Sequence, residues 1–338
     1  MDTLTQLSLG AAVGLAGWRH FGRRALLFGA FCGLLPDLDV VLSAGPGGDW
    51  RGLVSHRGSS HSLLVLPLVA IPLGAAAWRT LGRRGSPREW IHLAFWALIT
   101  HPLLDACTTY GTQLLAPLSR RRFSWDAVAI IDPLPTLPLL LAVALGLRAA
   151  AGARTVSLAR GALAWLLVYL LAGAGLSSLA RTEARTLLQA RGFEPVALIT
   201  PVPMVFSPLR RVVARDADGR LMVGAIVPWA PERHLLVALP APDLPRAQAA
   251  LDTPHGRTFA WFANGFISAE ERPDGTWLSD QRYGLFVETS WTPFRAWLPA
   301  GAPPEDLELA QERGGLDAAA ELAAGWALLT GRPTSAQQ

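Results

Sequence analysis

Lysine is absent from this chain: all 30 basic residues are arginine, a bias to which we attach no functional weight. Charge is also scarce, because charged residues make up 17% of the 338 residues, against about 25% in an average soluble protein. Hydrophobic residues make up 51%, and the mean hydropathy is +0.30. This balance points to a membrane protein.

Three further absences narrow the class of protein. The two cysteines, Cys32 and Cys107, both lie in apolar segments, so we expect buried apolar residues and no disulfide framework. The first residues, MDTLTQLSLGAAVGLAG, carry Asp2 and no basic stretch, so we expect no cleavable signal peptide. The net charge is only +4 and no basic run is interleaved with aromatic residues, so we expect no nucleic-acid binding.

The apolar residues are unevenly distributed along the chain. Long apolar runs fill residues 1–181, whereas residues 182–338 alternate charged, Pro-rich and Gly-rich stretches, as soluble domains do. We therefore predict a membrane-embedded helical domain at 1–181, followed by a small extramembrane α+β domain at 182–338.

Six apolar segments predict an α-helical membrane bundle of about five to six helices, although several are shorter than the roughly 20 residues that cross a bilayer squarely. Arginines are more frequent in the loops on one side of this bundle, which predicts that this side is cytoplasmic. The segments are residues 4–18, 25–42, 61–78, 90–108, 133–148 and 161–180.

The second part of the chain has clear local signals. RRVVAR, DADG and RLMVGAIV predict a hairpin with Asp218 and Gly219 in its turn. HLLVAL at 234–239 predicts another strand, and residues 243–252 predict a helix. TFAWFANGFIS, TWLSDQRYGLF and VETSW predict further elements, and residues 306–329 predict a last helix.

Three polar motifs interrupt the apolar half: LPDLD at 35–39, HRGSSHSLL at 56–64 and THPLLDACTTYG at 100–111. They contain imidazoles and carboxylates, the side chains that bind divalent cations, and they predict one metal site. The candidate ligands are Asp37, Asp39, His56, His61, His101 and Asp105, with Asp132 as a further candidate.

Residue spacing supports this metal site. His101 and Asp105 stand four residues apart in a predicted helix, so both project from one face, although such pairs are also common as helix-surface hydrogen bonds. His56 and His61 enclose RGSS, which favours a loop that directs both imidazoles to one point.

The acidic candidates allow several roles. Asp37 and Asp39 follow Pro36, where paired carboxylates bind or bridge metal ions, or one acts as a general base. Asp39 and Asp132 also suit helix caps, so both roles stay open. Ionisable groups in apolar segments are costly and mark function, which favours the metal site for the set as a whole.

The predicted crossings place all seven candidates on the non-cytoplasmic face, together with Gln6 at the start of the first segment. A pocket there would admit a lipid-borne substrate. The arginines at 120–122 either attract phosphate headgroups or form an ordinary basic cluster beside the membrane.

The motifs also carry a family resemblance. Five stretches resemble the YdjM-like family of membrane-bound metal-dependent hydrolases, which is described as LexA-binding and associated with the bacterial inner membrane. These stretches are GAFCGLLPDLD, HRGSSHS, THPLLDACTTYGTQLL, MDTLTQLSLGAAVG and IIDPLPTLPLL. In the second part of the chain, WFANGF and DQRYG resemble the longer members of the family. The resemblance implies a divalent metal on His56, His61, His101, Asp105, Asp37 and Asp39. Many relatives have histidine where this chain has Gln6. The family's distant similarity to zinc-dependent phospholipases C implies phosphoester substrates.

Two functions follow from these patterns. The first is an integral membrane hydrolase that uses a divalent metal, zinc, and attacks a phosphoester or lipid-linked substrate, with Asp37 or Asp39 as the base. The second is a non-enzymatic membrane protein in which the polar cluster fixes helix packing and the C-terminal domain binds a partner.

Overall fold

The computed structural model describes residues 1–43, 50–81, 83–148, 152–203, 208–239, 241–242, 244–284, 292–310 and 318–332. The chain forms two compact units. The first contains Met1–Ser43 and Ser55–Ala174, and the second contains Ala44–Val54 and Gly175–Gln338.

In the described part of the chain, eight α-helices precede the first β-strand. They are α1 (Thr3–Gly17), α2 (Arg23–Leu34), α3 (Leu38–Ser43), α4 (Trp50–Ser55), α5 (Leu66–Thr80), α6 (Pro87–Ala106), α7 (Pro133–Arg148) and α8 (Ala153–Ala190). The predicted domain boundary after residue 181 lies inside α8, whose residues from Gly175 onward belong to the second unit.

The prediction of five to six membrane helices is wrong for the described part of the chain. One helix, α8, is long and apolar enough to cross a membrane, and the number rises to two if Trp50–His61 and Leu66–Thr80, bent by 64°, form one broken span. Helices α1 and α5 have 15 residues each, which is about 22 Å against a hydrocarbon core of about 30 Å. The predicted sidedness rested on those crossings, and the structure gives it no support.

A local backbone break divides the second predicted apolar segment into two short helices, α2 and α3. The second predicted segment is interrupted after Leu34 by the 3₁₀ turn Leu35–Asp37, which contains Pro36. Proline removes a backbone donor and favours such an interruption. The turn places Asp37 and Asp39 at a corner between α2 and α3, where side chains can converge with those of other elements.

Helix α6 supplies the central scaffold of the first unit. Its start is a capping box, in which Ser86 accepts from the backbone N–H of Glu89 while the Glu89 carboxylate accepts from the backbone of Ser86. Trp90, Leu93 and Leu98 on this helix are fully buried. A capped and buried helix is a rigid support for the polar residues near its C-terminal end.

Glycines bring α1 and α2 into backbone contact. A Cβ atom at Gly10 would lie 2.2 Å from the carbonyl oxygen of Gly29, and a Cβ at Gly33 would lie 2.5 Å from the carbonyl oxygen of Gln6. No side chain fits at these distances. The close approach therefore sets Gln6 and Gly33 side by side, and both reach the polar cluster described below.

The second unit contains two antiparallel sheets of four strands each, in the orders β1-β2-β3-β4 and β5-β6-β7-β8. The strands are β1 (Ala197–Ile199), β2 (Arg210–Arg215), β3 (Leu221–Val227), β4 (Ala230–Leu239), β5 (Ile267–Arg272), β6 (Gly275–Asp280), β7 (Arg295–Pro299) and β8 (Glu308–Ala310). The helices are α9 (Pro245–Leu251), α10 (Pro254–Phe262) and α11 (Ala318–Thr330).

The local predictions for this unit had mixed outcomes. The predicted hairpin is confirmed, since β2 and β3 pair in antiparallel register from Arg210 and Ile226 to Arg215 and Leu221. The last helix was predicted too early, because β8 occupies part of the segment and α11 begins at Ala318. The predicted element VETSW at 287–291 lies outside the described residues.

Replacing Gly10 by alanine tests the α1–α2 contact. We expect Gly10→Ala to lower the free energy of unfolding by about 1–3 kcal/mol, because the new methyl group meets the Gly29 backbone. Gly17→Ala in the same helix is the matched control, since a Cβ there meets nothing within 4 Å. Thermal unfolding of both variants in detergent measures the difference. Equal stability would contradict the contact.

Candidate metal centre

Asp39 holds the loop that carries the HRGSSH motif. His56 is hydrogen-bonded through Nδ1 to Asp39 Oδ1 at 2.9 Å. The backbone N–H of Arg57 and the hydroxyl of Ser60 both donate to Asp39 Oδ2, at 3.1 and 2.6 Å. Burial raises the pKa of Asp39, but hydrogen bonds from His56, His61 and Ser60 outweigh it and hold the pKa below its ordinary value. The loop is thus organised around one ionised carboxylate.

The same network fixes the tautomer of His61, which lies in the 3₁₀ turn Ser59–His61. Its Nδ1 is 3.0 Å from Ser60 Oγ and 3.4 Å from Asp39 Oδ2. Ser60 gives its own hydrogen to Asp39, so both oxygens act as acceptors for His61 and Nδ1 carries the ring proton. In the neutral ring, Nε2 is then an unprotonated lone pair.

His101 has the same tautomer for a different reason. Its Nδ1 lies 2.6 Å from the carbonyl oxygen of Gly33, and a carbonyl oxygen only accepts, so Nδ1 donates. A hydrogen bond of this kind orients a ligating imidazole and leaves Nε2 free for a metal. Asp105 follows one turn later on α6, with Oδ2 at 3.6 Å from His101 Nε2.

Four ligand atoms converge at this point. The two Nε2 atoms of His61 and His101 are 3.1 Å apart. Asp37 Oδ1 lies 3.4 and 3.3 Å from them, and Asp105 Oδ2 lies 3.3 Å from His61 Nε2. In the neutral tautomers all four atoms are acceptors. Burial lowers the pKa of His61, but hydrogen bonds with Asp105, Asp37 and Asp39 outweigh it and raise the pKa to about 10, so the metal-free ring carries a second proton at neutral pH. That proton, or a metal ion in its place, offsets the repulsion among the lone pairs, so the four atoms could hold a metal ion.

The spacing is compatible with a four-coordinate divalent cation. Five of the six edges between the four atoms are 3.1–3.6 Å. A regular tetrahedron with such edges has its centre about 1.9–2.2 Å from each corner, which matches the ligand distances of zinc to nitrogen and oxygen. Two imidazoles and two carboxylates form a ligand set that zinc accepts, whereas calcium and magnesium prefer oxygen ligands alone.

Arg57 is a site residue that sequence reasoning missed as a functional group. It is buried, its Nε lies 3.1 Å from Asp105 Oδ2, and its Nη1 donates to Thr108 Oγ1 at 3.0 Å. Its guanidinium lies 4.5 Å from the centre of the Tyr110 ring. Burial raises the pKa of Asp105, but Arg57 and the amino group of Met1 outweigh it and hold the pKa well below its ordinary value. Asp105 therefore remains a carboxylate.

A positive backbone angle was the missing signal for Arg57. Its φ is +58°, a conformation that residues other than glycine rarely adopt. Such strain is often stored at functional sites, and here it lets the backbone reach Asp39 while the side chain reaches Asp105. The motif shows an arginine between histidine and glycine, but the angle is visible only in the structure.

Gln6 also belongs to the site. Its side chain is buried, and Nε2 donates to Asp105 Oδ1 at 2.9 Å and to the carbonyl oxygen of His101 at 3.2 Å. The amide of Gln6 thus holds the carboxylate whose other oxygen faces the two imidazoles.

Of the remaining predicted ligands, Asp39 and His56 lie close to Asp37, and Asp132 lies elsewhere. Asp39 and His56 form a second group with Asp37, in which one ligand atom of each lies within 4.8 Å of the others. Asp132 lies outside both groups. Its Oδ1 accepts from the backbone N–H of Leu134 at the start of α7, and its Oδ2 accepts from the hydroxyl of Tyr169 at 2.6 Å. These are helix-capping and helix-pairing contacts.

Comparison with known proteins gives a family and one distant relative. The sequence pattern of a family described as "YdjM inner membrane protein" matches residues 1–181, which confirms the resemblance over that part. The chain is 24% identical over 156 residues to the uncharacterized protein YfhP of Bacillus subtilis (strain 168), a match that covers 43% of this chain and 46% of YfhP. The chain thus spans about half the length of this relative. No solved structure matches the chain.

Asp39→Asn tests the organising carboxylate in metal-free protein. We expect a loss of about 1–3 kcal/mol in the free energy of unfolding at neutral pH, because hydrogen bonds to a buried charge are lost. The pKa of Asp39 is lowered in the folded state, so its contribution is full above about pH 4 and is lost as the pH falls through the folded-state pKa.

Unfolding across this pH range measures the effect. The difference between wild type and variant should shrink on acidification, and a difference that stays constant with pH would contradict the assignment. Asp218→Asn is the control, because Asp218 is mostly exposed and should change stability by less than about 0.5 kcal/mol.

Proposed function

Because the chain belongs to the family of the YdjM inner membrane protein, we propose that it is a membrane-associated hydrolase that depends on a divalent metal, zinc. The proposed ligands are Asp37, His61, His101 and Asp105. One observation carries the proposal: two imidazole Nε2 atoms face each other at 3.1 Å, with carboxylate oxygens beside them. A divalent cation among these atoms would bind them as ligands.

A bound zinc ion supplies Lewis acidity, which acidifies water and polarises a phosphoryl or carbonyl oxygen. The protein supplies the remaining functions. Asp37 and Asp39 are our candidates for accepting the proton of the attacking water, and their side chains are 20% and 10% exposed, unlike the fully buried His61 and His101. Water therefore reaches the centre from the side of these carboxylates.

A phosphoester on a lipid is the substrate class that we propose. Membrane association of the family supports a lipid-borne substrate. In the hydrolysis, the water oxygen bonds to phosphorus, the ester P–O bond breaks, and the leaving alcohol takes up a proton.

A structural role is the second candidate function. The hydrogen bonds that converge on Asp39, and the pair of Arg57 with Asp105, are contacts that also stabilise a fold. In this alternative the cluster fixes packing in the first unit, and the second unit binds a partner. Metal content separates the two functions, because a purely structural network needs no ion.

His101→Ala tests the metal-dependent hydrolase. Full-length protein purified in detergent should carry at least one zinc ion per chain, and His101→Ala should lose most of it together with activity, because a principal ligand is missing. His92→Ala is the matched control, since His92 is exposed on the same helix. Elemental analysis gives the metal content.

Activity is measured on p-nitrophenyl phosphate esters and on phospholipid in mixed micelles, with a carboxyl ester for comparison. Full metal content in His101→Ala would reject the ligand assignment. Absence of bound metal from the wild type would favour the structural role instead, and stoichiometric metal without hydrolysis of any ester would contradict the hydrolase.

A further inference from the structure

We infer that the centre holds a second divalent cation, bound by Asp37, Asp39 and His56, with Asp37 bridging the two ions. This inference rests on the proposed function, because the second ion shares a ligand with the first. One ligand atom from each of these three side chains lies within 4.8 Å of the others. The group is mixed, with an imidazole beside two carboxylates.

Asp37 is suited to bridge because only one of its oxygens faces the first ion site. Its Oδ1 makes both short contacts, to His61 Nε2 at 3.4 Å and to His101 Nε2 at 3.3 Å. Among the described residues, no group donates a hydrogen bond to its Oδ2. A carboxylate with one committed and one uncommitted oxygen can bind two cations at once.

Asp39 likewise has one committed oxygen and one that faces His56. Its Oδ2 accepts from the Arg57 backbone and from Ser60, whereas its Oδ1 contacts His56 Nδ1 at 2.9 Å. That spacing is about the separation of adjacent ligands in an octahedral site with ligand distances of about 2.0–2.1 Å. A divalent ion can therefore replace the proton that this pair shares, as metal binding to histidine generally requires.

Exposure and charge favour an ion on this side. The side chains of His56, Asp37 and Asp39 are 22%, 20% and 10% exposed, so a solvated cation can enter there. Three carboxylates, with Asp105 as the third, face one buried arginine, Arg57, and the amino group of Met1, which pairs with Asp105. One divalent ion offsets the remaining negative charge, and a second leaves further positive charge for an anionic phosphoester.

The inference changes two roles within the proposed function. Asp37, already a ligand of the first ion, becomes a bridging ligand, and Asp39 becomes a ligand instead of a general base. In two-ion hydrolases such a pair stabilises both the attacking and the leaving oxygen. The second ion would thus form the substrate-facing half of the centre.

Metal stoichiometry tests the second site without relying on activity. Metal-free full-length protein is loaded with Zn²⁺, passed through a desalting column and analysed for zinc. We expect two ions per chain in wild type and one in His56→Gln, whose amide keeps a donor towards Asp39 but is a poor metal ligand. His92→Gln is the matched control and should keep two ions, because His92 is exposed on α6.

Loading with Mn²⁺ gives an independent readout on the wild type itself. Two ions that share the Asp37 carboxylate should give the EPR spectrum of a spin-coupled pair, and His56→Gln should give that of an isolated ion. One zinc per chain in wild type, or unchanged stoichiometry in His56→Gln, would overturn the second site. A single ion with retained hydrolysis would leave the proposed function intact, whereas no bound ion would contradict both.

Discussion

The centre of this protein depends on two imidazole rings, His61 and His101, whose Nε2 atoms lie 3.1 Å apart. Each ring is forced into the same tautomer by what its other nitrogen meets: the carbonyl oxygen of Gly33 for His101, and the oxygens of Ser60 and Asp39 for His61. The two Nε2 atoms consequently face each other and two carboxylates. The hydrogen bonds at Nδ1 thus orient the Nε2 atoms, as hydrogen bonds to ligating histidines do in metal sites generally.

Helix packing in the first unit positions the groups that bind His101 and Asp105. Backbone contact between α1 and α2 at Gly10 and Gly29 places Gly33 where it accepts from His101, and places Gln6 where it donates to Asp105. Buried carboxylates are costly unless they are paired and hydrogen-bonded. Loss of the helix contact should therefore disturb the centre even though neither glycine touches it.

Membrane association rests on the family and on one long helix. Hydropathy along the first half is high enough to suggest several crossings, but hydropathy measures composition and does not report where a helix ends. The turn at Pro36 divides the second apolar segment, and α1 and α5 have only 15 residues each, fewer than the roughly 20 that cross a bilayer. The described chain keeps one span, α8, or two with the bent pair.

Features that depend on neighbouring residues could be predicted from the order of amino acids alone. Four-residue spacing on a helix places His101 and Asp105 on one face, and the Asp218-Gly219 turn specifies the hairpin of β2 and β3. The separate roles of the acidic residues follow from how the helices and loops pack together. Asp37 and Asp105 face the imidazoles, Asp39 holds the loop, and Asp132 binds Tyr169. These roles depend on contacts between segments distant in the chain, and such contacts follow from packing, which residue type and spacing do not encode.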